Sequence, residues 1–260
     1  MQDNEYRQQR IDNMEKLAEA GFPAYGNAFD RTATLEKLHA EFEEGKIVKA
    51  CGRIVALRKM GKMAFAHVSD GSAKFQLMVK KDLIGDENFD AFKLLDLGDV
   101  IGVSGELFIT RTEENTVRVA DWTLLSKSLL QPPEKFHGLQ DVETRYRQRE
   151  LDLISNDEVM DLFKKRSAML SEIRRFLEDR GYCEVETPMI QAIAGGAAAN
   201  PFRTHYQALG TDMVFRIAPE LYLKRLIVGG MDKVFELNRN FRNEGLDRTH
   251  NPEFTVLETY

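Results

Sequence analysis

The sequence predicts an α+β protein: a five-stranded β-barrel, then a mostly antiparallel sheet with flanking helices. Three observations lead there. The 260 residues exceed what one typical domain of roughly 100–200 residues holds, so two domains are expected. From Lys46 the apolar residues switch from a helical period to alternation, in five short runs with a helical run after the third. Beyond the break Gln131-Pro132-Pro133-Glu134, a long helical stripe is followed by shorter strand-like runs.

Each element has its own local reason. Residues 3–20 read as a charged helix ended by Gly21 and Pro23, and a second helix covers 34–44 and stops at Gly45. Strands are expected at 47–58, 63–69, 73–80, 99–109 and 116–126, with a helix near 86–96. That order is the order of an OB-fold. Phe75, Leu77 and Val79 share the core face of the third strand, while Gln76 and Met78 face the other way. The face of strands two and three commonly binds single-stranded nucleic acid in such barrels, and Phe65 and Gln76 lie on it. An aromatic platform there stacks a base for about 1–3 kcal/mol, and an amide reads base edges. From the residues alone, Phe65 reads as a core side chain.

The linker runs on through the Arg- and Glu-rich segment from Asp141 to Glu150. Ser155-Asn156-Asp157-Glu158 has the form of a capping box, with Ser155 at the cap. The helix it opens carries Val159, Leu162, Phe163, Arg166, Leu170, Ile173 and Leu177 on one stripe and ends at Gly181. A strand over 182–187 stops at Pro188. The loop from Gly195 to Phe202 is built of small residues, which permit close backbone approach to a ligand. A strand over 213–217 leads to Pro219, suited to the first turn of a helix over 219–229. Strands 233–242 and 253–260 form a hairpin around the polar loop 245–252. With period two, Phe254, Val256, Glu258 and Tyr260 share one face. On the other strand Asn238, Asn240 and Arg242 share one face, with Glu244 next in that series. A few directed polar groups beside an aromatic ring fit a small-molecule site. A charged sheet face with scattered ion pairs is the alternative that alternation alone leaves open. The expected layout is a helical extension at 1–45, the barrel at 46–130, a linker at 131–150 and a second domain at 151–260.

Composition narrows the class. No apolar run approaches the about 18 residues of a membrane span, and the opening MQDNEYRQQR lacks the apolar core of a signal peptide. The two cysteines, Cys51 and Cys183, form neither a disulfide framework nor a CxxC site, which fits a reducing cytoplasm. A net charge of −6 does not announce a nucleic-acid partner globally. The local clusters Arg53, Arg58, Lys59, Lys62 and Lys74, Lys80, Lys81 read first as solvated faces.

Six stretches, taken in order, resemble the class II lysyl-tRNA synthetases along nearly the whole chain. After the OB-type barrel come KFHGLQDVETRYRQRELDLISND, GYCEVETP, GGAAANPF, RIAPELYLKRL and FRNEG…HNPEFT. The last of these is similar to the second signature motif of that class; the long helix, strand and proline before it resemble the first, a homodimer interface around 157–188. The resemblance implies ATP-dependent activation of lysine to lysyl-adenylate and transfer to tRNA(Lys) in protein biosynthesis. It assigns Arg242 to the α-phosphate of ATP and the lysine carboxylate, as a guanidinium fork suits. Glu244, His250 and Asn251 fall on the nucleotide, and Phe254 stacks on adenine. Arg242 and Glu244 are the implied catalytic pair. Gly196 and Glu220 receive the α-amino group, and Glu258 with Tyr260 meets the ε-ammonium. A carboxylate site of that kind rejects analogues lacking the amine by roughly 10⁴–10⁵. Arg58, Phe65 and Gln76 fall where the family contacts a uridine-rich anticodon.

The third motif and the acidic ligands of magnesium are expected downstream of Tyr260, with no metal ligands inside these residues. The 260 residues alone are therefore expected to be inactive. Other readings are an aspartate or asparagine ligase with the same barrel, a non-catalytic tRNA-binding fragment or paralogue, and a modification enzyme related to the synthetases.

Overall fold

Alternation from Ile47 onward produces β1 (Ile47–Met60), β2 (Met63–Ser69), β3 (Lys74–Lys80), β4 (Val100–Ile109) and β5 (Asn115–Ser126). The structure, a computed structural model, describes residues 2–26, 28–133 and 139–260. Glu134 and the KFHG start of one family-like stretch lie outside the described residues. The chain divides into two units, Met1–Met160 and Asp161–Tyr260.

In the first unit the five strands close into a barrel in the order β1-β2-β3-β5-β4. Closure comes from a short parallel ladder that pairs Gln76, Leu77 and Met78 with Thr116, Val117 and Arg118. The β4–β5 ladder shifts register between Ser104 and Gly105. A Cβ at Gly105 would sit 2.1 Å from the Arg118 carbonyl oxygen, so glycine is required there. Inside, Phe75, Leu77 and Val79 are buried with Ala64, Ala66 and Val68 of β2. Helices α1 (Gln2–Glu19) and α2 (Leu35–Ala40) add Leu17, Leu35 and Leu38 to the same core. Arg10 fixes α1 by donating to the carbonyls of Leu97, Ser128 and Leu130.

Several boundaries differ from expectation for packing reasons. The Thr34 hydroxyl caps α2 through the Lys37 amide, but the helix ends at Ala40 rather than continuing to residue 44. Phe42 packs against the core and takes the chain off the helical path. The helix near 86–96 is present as α4 (Asp86–Phe92), and a further short helix, α3 (Lys81–Ile84), precedes it across Gly85 with φ +85°. The segment from Asp141 to Glu150 is largely helical: α5 (Val142–Arg147) precedes α6 (Arg149–Ser155). Asp152, fully buried, joins them by accepting from Arg145 and Arg149. Ser155 is therefore the last residue of α6 and not the cap of α7 (Asp157–Glu178). Asn156 sits between the helices; its carbonyl accepts the Val159 amide and its side chain donates to Asp152.

In the second unit, β6 (Cys183–Glu184) pairs in parallel with β10 (Val234–Phe241), which pairs antiparallel with β11 (Glu253–Thr259). A separate sheet joins β7 (Ile190–Gln191), β9 (Thr211–Phe215) and β8 (Arg203–Tyr206). Helix α8 (Glu220–Val228) follows Pro219. The strand expected over 182–187 is cut short because the Thr187 hydroxyl and amide both turn to the Glu236 carboxylate. Among the described residues no helix is long and apolar enough to cross a membrane.

Candidate functional site

The β10–β11 register places Glu236 opposite Glu258, Asn238 opposite Val256 and Asn240 opposite Phe254. Directly opposed residues share a sheet face. Glu236, Asn238 and Asn240, with Arg242 next in the alternation, thus stand on the face that carries Phe254, Val256, Glu258 and Tyr260. The hairpin and the face expected from alternation are present.

At one end Arg242 lies over Phe254, its guanidinium carbon 5.1 Å from the ring centroid. Its Nη2 reaches toward the Ile217 carbonyl at 3.5 Å. The Asn243 amide donates to the Asn200 carbonyl and the Asn200 amide to the Glu244 carboxylate, tying this end to the small-residue loop. His250 is engaged inside its own loop, with Nδ1 2.7 Å from Asp247 Oδ2. Backbone and side-chain bonds from Thr249, with His250, hold the Asp247 carboxyl far below the usual carboxylate range. Asn251 is exposed in the same loop.

At the other end Gly196 has φ +83°, and a Cβ there would lie 2.8 Å from Glu220 Cβ and 3.2 Å from Ala218 Cβ. The loop backbone therefore approaches the start of α8 as only glycine allows. Glu220 accepts from Lys224, whose ammonium is 5.8 Å from the Tyr260 ring centroid. The Tyr260 hydroxyl donates to Glu258 Oε1 at 2.9 Å. Burial first, then that bond and the charges of Glu258 and Glu220, push the phenol up to about 12, so it remains a donor at neutral pH. Gly196, Glu220, Glu258 and Tyr260 form one group; Arg242 and Phe254 form another; His250 and Asn251 are bonded or exposed within the loop.

Sequence reasoning missed a buried pair at this face, one member of which is Glu236. Arg216 and Glu236 are fully shielded and 2.6 Å apart. Three buried polar atoms lack a hydrogen-bond partner among the described residues: Arg216 Nη2, Asn240 Oδ1 and Arg242 Nε. Buried polar atoms are rarely left unpaired, so three in one region mark it as a place built for more than packing. Extending the Asn238, Asn240, Arg242 series back two residues reaches Glu236, and Arg216 is a charge between the apolar Phe215 and Ile217. Those signals were available.

In the barrel, a cleft of about 830 Å³ is lined by Arg58, Phe65, His67, Gln76, Phe108 and Arg111, among others. Phe65 is half-buried on the cleft side of β2, while Ala64 and Ala66 on either side of it point inward. Its place in the core, read from the residues alone, is replaced by a place in the cleft wall. Gln76 faces away from the core as expected, yet it is buried at the cleft floor, where its amide donates to Thr116 Oγ1. Arg58 is exposed and opposite Phe65 in the β1–β2 ladder. Of the basic cluster, Lys59 donates to the Lys93 and Leu95 carbonyls, and burial holds its ammonium below the ordinary lysine range. Arg53 caps the Gly98 carbonyl. These two charges serve the barrel's backbone. Among the described residues no group of His, Cys, Asp and Glu side chains could hold a metal ion.

Residues 48–125 match an OB-fold nucleic acid binding domain, and residues 141–260 match the tRNA synthetases class II (D, K and N). Over that second stretch the chain is similar to the class II tRNA synthetases. The chain is 49% identical over 259 residues to the lysine–tRNA ligase of Syntrophomonas wolfei, covering 99% of this chain and 52% of that protein. It is 51% identical over 260 residues to the lysine–tRNA ligase of Thermoanaerobacter sp. strain X514, with coverage of 99% and 52%. The lysine–tRNA ligase of Lactococcus lactis strain IL1403 is 50% identical over 266 residues, with coverage of 99% and 54%. The chain spans about half the length of the curated relatives it matches.

Proposed function

We propose that the chain supplies the anticodon-binding barrel and much of the activation site of a lysine–tRNA ligase acting in the cytoplasm on lysine, ATP and tRNA(Lys). The observation that carries the reading is the single sheet face on which Arg242 over Phe254 and Glu258 bonded to Tyr260 both stand. Under this reading the domains divide as 1–45, 46–130, 131–150 and 151–260.

In the first half-reaction an oxygen of the lysine carboxylate attacks the α-phosphorus of ATP, and the bond to the bridging oxygen breaks to release pyrophosphate. Lysyl-adenylate remains. The 3′-terminal ribose hydroxyl of tRNA then attacks the acyl carbon and AMP leaves. The protein supplies no nucleophile; it positions the reactants and meets developing charge. Arg242 takes the α-phosphate and carboxylate oxygens as a charged fork, and Phe254 offers adenine a stacking face. Glu244 holds the base edge, with His250 and Asn251 toward the triphosphate. Glu220 and the Gly196 backbone take the α-amino group, and Glu258 with Tyr260 takes the ε-ammonium. Magnesium, used with ATP in this family, has no protein cluster among the described residues.

A homodimer through 157–188 is supported by the apolar residues α7 exposes: Leu162 at 64%, Met169 at 55% and Phe176 at 51%. Patches of that kind mark protein contacts.

The test is amino-acid-dependent ATP–pyrophosphate exchange by the protein that carries this chain. Exchange with lysine and none with aspartate or asparagine is expected; exchange with either acid and not with lysine would overturn the assignment. For the barrel, Phe65→Ala is expected to weaken tRNA(Lys) binding by about 1–3 kcal/mol, read by filter binding at fixed salt. Unchanged affinity would remove Phe65 from the interface.

A further inference from the structure

We propose that Arg216 is a positioning residue for amino-acid activation, acting through the backbone that carries Arg242 and Glu220. The proposal rests on the activation site described under the proposed function and assigns Arg216 a part in that site. Arg216 is fully buried, so it touches no substrate. Its bonds instead join three segments. Its amide donates to the Met189 carbonyl, and its carbonyl accepts from the Phe241 amide, one residue before Arg242. Its Nε donates to the Arg239 carbonyl at 2.8 Å. Its Nη1 donates to Glu236 Oε1 at 2.6 Å and to Thr187 Oγ1 at 2.9 Å. Glu236 in turn accepts from Asn238, which stands on the site face.

The residue therefore grips β10 at 236, 239 and 241, and the segment 187–189 beside it. Along the chain it leads directly to Ile217, whose carbonyl faces Arg242, then to Ala218 against Gly196 and to Glu220. One guanidinium thus sets the spacing between the phosphate end and the ammonium end of the site. A lysine at 216 would keep the charge but lose the planar fork that reaches a carbonyl and a carboxylate together. Small misplacements of reacting groups cost about 10²-fold in rate.

The experiment compares Arg216→Lys and Thr187→Val with the unsubstituted protein that carries this chain. Pyrophosphate exchange is measured with whichever amino acid the unsubstituted protein activates best. If that acid is not lysine, the proposed function fails while the comparison for Arg216 stands. Active sites are counted by adenylate burst and folding is followed by thermal unfolding. R216K is expected to lower kcat per active site by about 10²-fold and T187V by roughly tenfold, with both KM values within about twofold. A merely structural role would reduce the burst and leave kcat per site unchanged; that result overturns the proposal. If R216K does not fold, T187V decides: an unchanged kcat per site overturns the proposal, and the tenfold fall supports it.

Discussion

Arg242→Lys is expected to slow amino-acid-dependent pyrophosphate exchange by about 10²–10³-fold, as loss of one aimed donor at a developing oxyanion does. The guanidinium carbon lies over Phe254, 5.1 Å from its centroid, which leaves the fork's donors for an anion. An ammonium is a point charge and cannot give two parallel bonds to a phosphate or carboxylate. Stability should change little. Arg242 is half-buried, and lysine removes its unpaired Nε together with one long bond, from Nη2 to the Ile217 carbonyl at 3.5 Å, so loss and gain nearly offset. Exchange rates and melting temperature measured side by side decide the matter. A rate within about threefold of the unsubstituted protein would take Arg242 out of the reaction.

Glu258→Gln is expected to remove most of the preference for lysine over norleucine, the analogue that lacks the ε-ammonium. A site that pairs a substrate's polar group discriminates by roughly 10⁴–10⁵ when that group is absent, because its own polar atoms are left unpaired. Glutamine keeps the shape and an acceptor for the Tyr260 hydroxyl, which now donates to Oε1 at 2.9 Å, but not the negative charge. The Tyr260 phenol stays protonated at neutral pH, since burial is the largest cause of its rise. Competition between the two amino acids in the exchange assay reads the ratio directly. A ratio that survives the substitution would place the specificity elsewhere.

The barrel was legible because each strand obeys a local rule. The alternation of Phe75, Leu77 and Val79 needs no knowledge of neighbours, and the strand bounds fall within two residues of those expected. Helix ends were less legible where tertiary packing set them. Phe42 ends α2 early, and Asp152 makes helices of a charged stretch that composition reads as a linker. At the site, the faces of β10 and β11 followed from period two, but the bond between Glu258 and Tyr260 needed the structure. The Arg216–Glu236 pair was hidden for a different reason. A buried charge is tolerable only when its partner arrives from another segment, and sequence spacing does not say which segments meet.

The stack of Phe22 on Trp122, with ring centroids 4.2 Å apart and planes within 3°, has an optical consequence. Trp122 is the chain's single tryptophan and is 4% exposed in the barrel. Excited selectively, its emission reports on the packing around Phe22 and Phe92, so the spectrum follows melting of the barrel core without a label.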